Sequence, residues 1–183
     1  ARHITISTVG ILPGLVALAK RPEQFRLAIS LHAPTSETRR SLMPIERKYP
    51  LSQVIGAARK FKRRVTFEYV LIGGVNDRPE DAVALAKLAL ETGAMVNLLP
   101  LHPGGAVPLE RSPGRRMHAF AVALRKRGIE AVLRKSRGLD IAAACGQLRI
   151  ASERGDVAEV PAKAHGDVHQ PSRVRRRAHR PRT

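Results

Sequence analysis

Residues Arg134 to Leu148, RKSRGLDIAAACGQL, bring together the side chains with the clearest chemical potential in this 183-residue chain. A cationic run of Arg134, Lys135 and Arg137 passes through Gly138 into an apolar stretch, Ile141 to Ala144. It then reaches Cys145, the only cysteine. A thiolate is a strong nucleophile once a positive field lowers its pKa, and two arginines and a lysine nearby can supply that field. By composition alone, a lone cysteine behind Ile141 and three alanines is a small buried hydrophobe. A nucleophilic role therefore needs support from the rest of the chain.

The charge balance supplies some of it. A net charge of +18 and a pI near 11.5 favour a polyanionic partner, for which nucleic acid is the usual choice. The plain alternative is solvated surface charge on an arginine-rich chain. A single cysteine excludes an internal disulfide and fits a reducing compartment. No apolar run approaches the ~20 residues of a membrane span, and the opening residues carry no signal-peptide pattern. A cytoplasmic location is expected. Hydrophobic residues make up 43% and aromatic residues 3%, with no Trp, so the core must be built from Leu, Val, Ile and Ala.

The elements that would position such chemistry alternate regularly. His3 to Ser7 reads as a short strand, and Pro13 starts a helix with Leu12, Leu15, Val16 and Ala19 inward. Phe25 to Leu31 is the next strand, running into His32. Thr35 is an N-cap for a short helix through Leu42, ended by Pro44. Leu51, Val54, Ile55 and Ala58 mark a further helix, and Arg64 to Ile72 the clearest strand. Pro79 opens a helix with Glu80 and Asp81 in its first turn, and Gly93 closes it. Met95 to Leu101 is a buried strand, Ser112-Pro113 caps another helix, and Glu130 to Arg134 forms a last strand. Strand and helix alternate five times, which demands parallel strands joined by crossovers: an α/β sheet or barrel. The period alone does not separate an open sheet from a barrel. Ser7, Ser30, His32 and Asn97 fall towards the C-terminal ends of strands, where parallel α/β folds place their ligands. Asn97, an amide between Val96 and Leu98 in an apolar strand, must find partners in the protein or in a ligand. From residue 150 onward apolar periodicity stops and arginines crowd the end, so residues 150–183 read as a basic, disordered tail, suited to RNA phosphates or simply solvated.

Seven segments in register resemble one family. They are Ile-Thr-Ile-Ser-Thr (4–8), Ala-Ile-Ser-Leu-His-Ala-Pro (28–34), Met-Pro-Ile (43–45), Phe-Glu-Tyr-Val-Leu-Ile (67–72), Val-Asn-Asp (75–77), Val-Asn-Leu-Leu-Pro (96–100) and the segment ending Ala-Cys-Gly-Gln-Leu. Together they resemble the radical-SAM adenine-C2 methyltransferases that modify 23S ribosomal RNA and transfer RNA. The resemblance covers residues 2–149 and implies the C-terminal part of a partial (β/α) radical-SAM barrel. It further implies an S-adenosylmethionine pocket lined by Ser7, Ser30, Leu31, His32 and Asn97. Cys145 would be the thiol that is methylated and delivers its carbon, after radical activation, to C2 of an adenine. Arg134, Lys135 and Arg137 would hold RNA phosphate near that thiol.

One departure matters. The family binds a [4Fe-4S] cluster through CxxxCxxC and uses a second cysteine to resolve the RNA adduct, and this chain has only Cys145. The expectation is a C-terminal part of a longer enzyme, inactive without its N-terminal part. Such a piece should expose the edge of its first strand and be marginally stable or self-associating. The alternative is a catalytically inert basic α/β module that binds RNA or a ribosomal partner.

Overall fold

The computed structural model describes residues 4–102 and 109–134. Five strands and five α-helices alternate: β1 (Thr5–Thr8), α1 (Leu12–Ala19), β2 (Arg26–Ser30), α2 (Ser36–Leu42), α3 (Leu51–Ala58), β3 (Val65–Leu71), α4 (Pro79–Thr92), β4 (Met95–Pro100), α5 (Gly114–Arg125) and β5 (Ala131–Leu133). A 3-10 turn, Pro44–Arg47, links α2 to α3.

The strands form one sheet in the order β1-β2-β3-β4-β5, and every pair is parallel. Sequential order answers the question that periodicity left open. A doubly wound sheet reverses its strand order at a switch point, whereas crossovers of one hand between sequential neighbours stack helices on one face, as in a barrel wall. The side-chain alternation agrees. In β3, Val65, Phe67, Tyr69 and Leu71 are buried while Thr66, Glu68 and Val70 are only half-buried. The buried set joins Leu27, Ile29 and Leu31 of the β2 segment and Val96 and Leu98 of β4. Together they pack against Leu15, Val54, Leu85, Phe120 and Leu124 from the helices. The ring of Tyr69 stacks on that of Phe120 with centroids 5.7 Å apart. The half-buried set lies on the opposite, concave face.

Local chemistry sets the helix ends. The Thr35 hydroxyl accepts the Thr38 N–H at 3.2 Å and caps α2. Pro79 occupies the first turn of α4, where its missing N–H costs nothing, and Gly93 ends that helix at φ 64°. Ser112 does not cap α5. Pro113 holds the N-cap position, and the Ser112 hydroxyl instead donates to Asp77 Oδ2 at 2.6 Å. Only Leu15 of the expected α1 stripe is buried, and Val16 is 49% exposed. The reason is position: α1 stands beside the terminal strand and has one helical neighbour, α3, to pack against.

A buried ion pair ties the first helices together. Arg39 Nη1 meets Glu46 Oε2, and Arg39 Nη2 donates to the Val9 carbonyl at 2.7 Å. Glu46 Oε1 accepts the Leu51 N–H at 2.9 Å at the start of α3. One guanidinium thus fixes the loop before α1, helix α2, the 3-10 turn and α3. The expected division at residue 149 and the basic tail lie outside the described residues.

Candidate functional site on the concave face

The ladder register decides which polar residues meet. Ser30 pairs with Glu68 and Glu68 with Asn97, so the three form one row across β2, β3 and β4. Ser7 pairs with Ala28, two residues before Ser30, and stands one step lower on the same face. Thus Ser7, Ser30 and Asn97 share a surface. Leu31 does not present its side chain there. It is wholly buried in the helix-side core, and its N–H donates to the Glu68 carbonyl at 3.0 Å, so only its backbone borders the site.

His32 follows directly at φ 56°, a left-handed conformation in which histidine is enriched among non-glycine residues. Asn76 holds it there. The Asn76 amide donates from Nδ2 to the His32 carbonyl at 2.7 Å and to the Val70 carbonyl at 2.8 Å, and its Oδ1 accepts the Ile72 N–H at 2.7 Å. The His32 ring accepts the Val70 N–H at Nδ1, 3.2 Å away. Burial, and then the positive charge of Arg39, push the His32 pKa down to about 4. The imidazole is therefore neutral at neutral pH and carries its proton on Nε2, as a hydrogen-bond donor.

Asn97 is 6% exposed, and its Nδ2 donates to Glu68 Oε1 at 2.9 Å. Its Oδ1 is buried without any hydrogen-bond partner. A buried amide oxygen left unpaired costs about 1–3 kcal/mol, so native structures rarely retain one unless a ligand or water completes it. Glu68 and Asn76 are the residues that reading the sequence missed. Both lie in motifs noted there, Phe-Glu-Tyr and Val-Asn-Asp, but what joins Glu68 to Asn97 is ladder register, which neither strand's sequence carries.

Of the basic residues, Arg134 is exposed, and its N–H prolongs the β5 ladder by donating to the Leu98 carbonyl at 2.9 Å. Lys135, Arg137 and Cys145 lie outside the described residues. A groove of about 490 Å³ along β1 and α1 takes in Ser7 but none of the other polar site residues.

Comparison with known proteins places this geometry. No family model matches the chain. It is 64% identical over 170 residues to a probable dual-specificity RNA methyltransferase RlmN of Gemmatimonas aurantiaca, covering 92% of this chain and 47% of that protein. It is 51% identical over 155 residues to the protein of the same name from Moorella thermoacetica, covering 82% of this chain and 44% of the other. The crystal structure of a radical SAM methyltransferase from Sphaerobacter thermophilus superposes with a TM-score of 0.75 at 49% identity, over 79% of this chain and 43% of that one. The chain belongs to the RlmN-like radical SAM methyltransferase family. A domain of a pyruvate-formate lyase-activating enzyme from Bacteroides vulgatus, at 15% identity and a TM-score of 0.57, shares the fold alone. The chain spans less than half the length of the RlmN-like relatives it matches.

The family implies two groups, and the residues fit one of them. Two serine hydroxyls and an unpaired buried Asn97 oxygen on one face, with the neutral His32 imidazole just past the C-terminal end of β2, suit the polar edges of S-adenosylmethionine. A [4Fe-4S] cluster needs three thiolates in this superfamily, and the 183 residues contain one cysteine, so they cannot hold it. Among the described residues no group of three His, Cys, Asp or Glu is arranged to bind a metal. No helix among them is long and apolar enough to cross a membrane.

Proposed function

We propose that this chain contributes the S-adenosylmethionine pocket and the methyl-carrying thiol of an RNA methyltransferase that modifies C2 of an adenine in 23S ribosomal RNA and in transfer RNA. The observation that carries the pocket is the unpaired, buried Oδ1 of Asn97, in register with Ser30 on a face shared with Ser7. Ser7 and Ser30 offer hydroxyls to ribose or carboxylate oxygens, His32 offers Nε2–H, Leu31 offers backbone, and Asn97 offers its acceptor. S-adenosylmethionine, when bound, supplies the methyl group that Cys145 carries. Arg134, Lys135 and Arg137 hold RNA phosphate beside that thiol, which fits a chain of net charge +18. The cluster's thiolates come from sequence other than these 183 residues, and an RNA substrate of this kind places the work in the cytoplasm.

Mass spectrometry of the chain, produced beside a cluster-binding N-terminal half of a relative, tests the thiol. A methyl group on Cys145 in preparations that modify RNA is the expected result. An unmodified thiol in such preparations, or full RNA methylation by a Cys145→Ser variant, overturns the reading.

A further inference from the structure

We propose that Glu68 is the positioning residue of the concave site. It fixes the Asn97 amide so that the lone acceptor Oδ1 is left for the ligand, and the ligand must present an O–H or N–H donor there. The proposal rests on the reading of this face as the S-adenosylmethionine pocket.

Three observations carry it. The first is register: Glu68 is the direct ladder partner of Asn97, so neither side chain needs to reach. The second is polarity. A carboxylate only accepts, and Asn97 Nδ2 lies 2.9 Å from Glu68 Oε1, so the amine arm must face Glu68 and the carbonyl arm cannot. The third is what remains. With Nδ2 engaged, Oδ1 is buried and unpaired, an acceptor already desolvated and oriented before anything binds.

Glu68 has no other evident reason to be there. It interrupts Thr66, Phe67, Tyr69 and Val70 in a strand otherwise suited to packing, and it is half-buried. Among the described residues no Lys or Arg forms an ion pair with it. A half-buried carboxylate without a cation is costly to keep unless its hydrogen bonds do something else. Orienting the neighbouring amide is the task the geometry offers.

Exchange of polarity tests this. Binding of S-adenosylmethionine to the whole chain is measured by calorimetry up to millimolar ligand, with melting followed for each variant. Glu68→Ala should weaken binding about tenfold by freeing the amide to rotate. Asn97→Asp should weaken it similarly, because two carboxylates then face each other. The double variant Glu68→Gln with Asn97→Asp restores a donor opposite an acceptor and should bind within about threefold of the wild type. A merely structural role for Glu68 would not produce that rescue. In the unliganded wild type, slow exchange of the Asn97 side-chain amide protons, lost in Glu68→Ala, reports the orientation directly. Wild-type affinity in Glu68→Ala, or no rescue in the double variant, overturns the positioning role while leaving the pocket standing. Wild-type affinity in Asn97→Ala, or no binding by the wild-type chain at millimolar ligand, overturns the pocket itself.

Discussion

Arg39 and Glu46 form an ion pair in which both side chains are fully shielded from solvent. Two charges taken out of water are tolerated here because each is also hydrogen-bonded, Arg39 to the Val9 carbonyl and Glu46 to the Leu51 N–H. Truncating either partner leaves the other charge buried alone. Glu46→Ala and Arg39→Ala should each cost about 3–5 kcal/mol, read from urea unfolding midpoints. Burial by itself raises the Glu46 pKa, but the Leu51 N–H, the Ser36 hydroxyl and Arg39 outweigh it and hold the carboxyl below its ordinary 4.5. The stability from this shift is therefore present above pH 4.5 and is lost as pH falls through the lower folded value.

The His32 ring gives a second pH dependence with a different window. Its pKa falls from 6.5 in the unfolded chain to about 4 in the fold, so between those values the unfolded chain binds the extra proton. The His32 contribution to stability should be flat above pH 6.5 and decline steadily towards pH 4. His32→Asn keeps a side chain that tolerates positive φ but cannot titrate, and unfolding curves of this variant should lack the His32 part of the slope. An unchanged slope would contradict a neutral, buried imidazole.

Two glycines should respond oppositely to alanine. A Cβ at Gly10 would lie 2.9 Å from Val54 Cγ2 and 3.3 Å from Arg39 Nη2, at a φ of 96°. Gly10→Ala should therefore lose about 2 kcal/mol or more, since both strain and collision oppose it. A Cβ at Gly14, inside α1, meets nothing within 4 Å. Gly14→Ala should gain about 0.5–1 kcal/mol from helix propensity. Thermal melting of the pair distinguishes the two backbones.

Strand β1 is the terminal strand of the sheet, paired only with β2 among the described residues. Beside it Ile4 is 58% and Ile11 46% exposed. Apolar side chains along an unpaired edge invite a second strand. Sedimentation of the isolated chain should show self-association, and Ile4→Lys should shift it towards monomer. A concentration-independent, sharply melting monomer would refute this.

The architecture was readable from sequence because the period changed cleanly between two and 3.6, and because turn chemistry is local. Thr35, Pro79 and Gly93 act where their residue types say they should. Failures came where neighbours decide. Val16 fits an inward stripe but borders an open groove between α1 and α3 and stays 49% exposed, and Ser112 looks like a cap but is captured by Asp77 from another loop. The 3-10 turn after Met43 carries no periodic signal at four residues. In the site, Ser7, Ser30 and Asn97 could be proposed singly. That they share a face, and that Glu68 stands between two of them, depends on register, which no single strand contains.

The strictly consecutive strand order bears on how the molecule comes into being. Each strand needs only its predecessor as a template, so every ladder closes over a single crossover and none waits for a distant segment. A growing chain can therefore add one layer at a time in the direction from β1 to β5. Because Ser30, Glu68 and Asn97 sit on three successive layers, the ligand face would mature only when β4 docks.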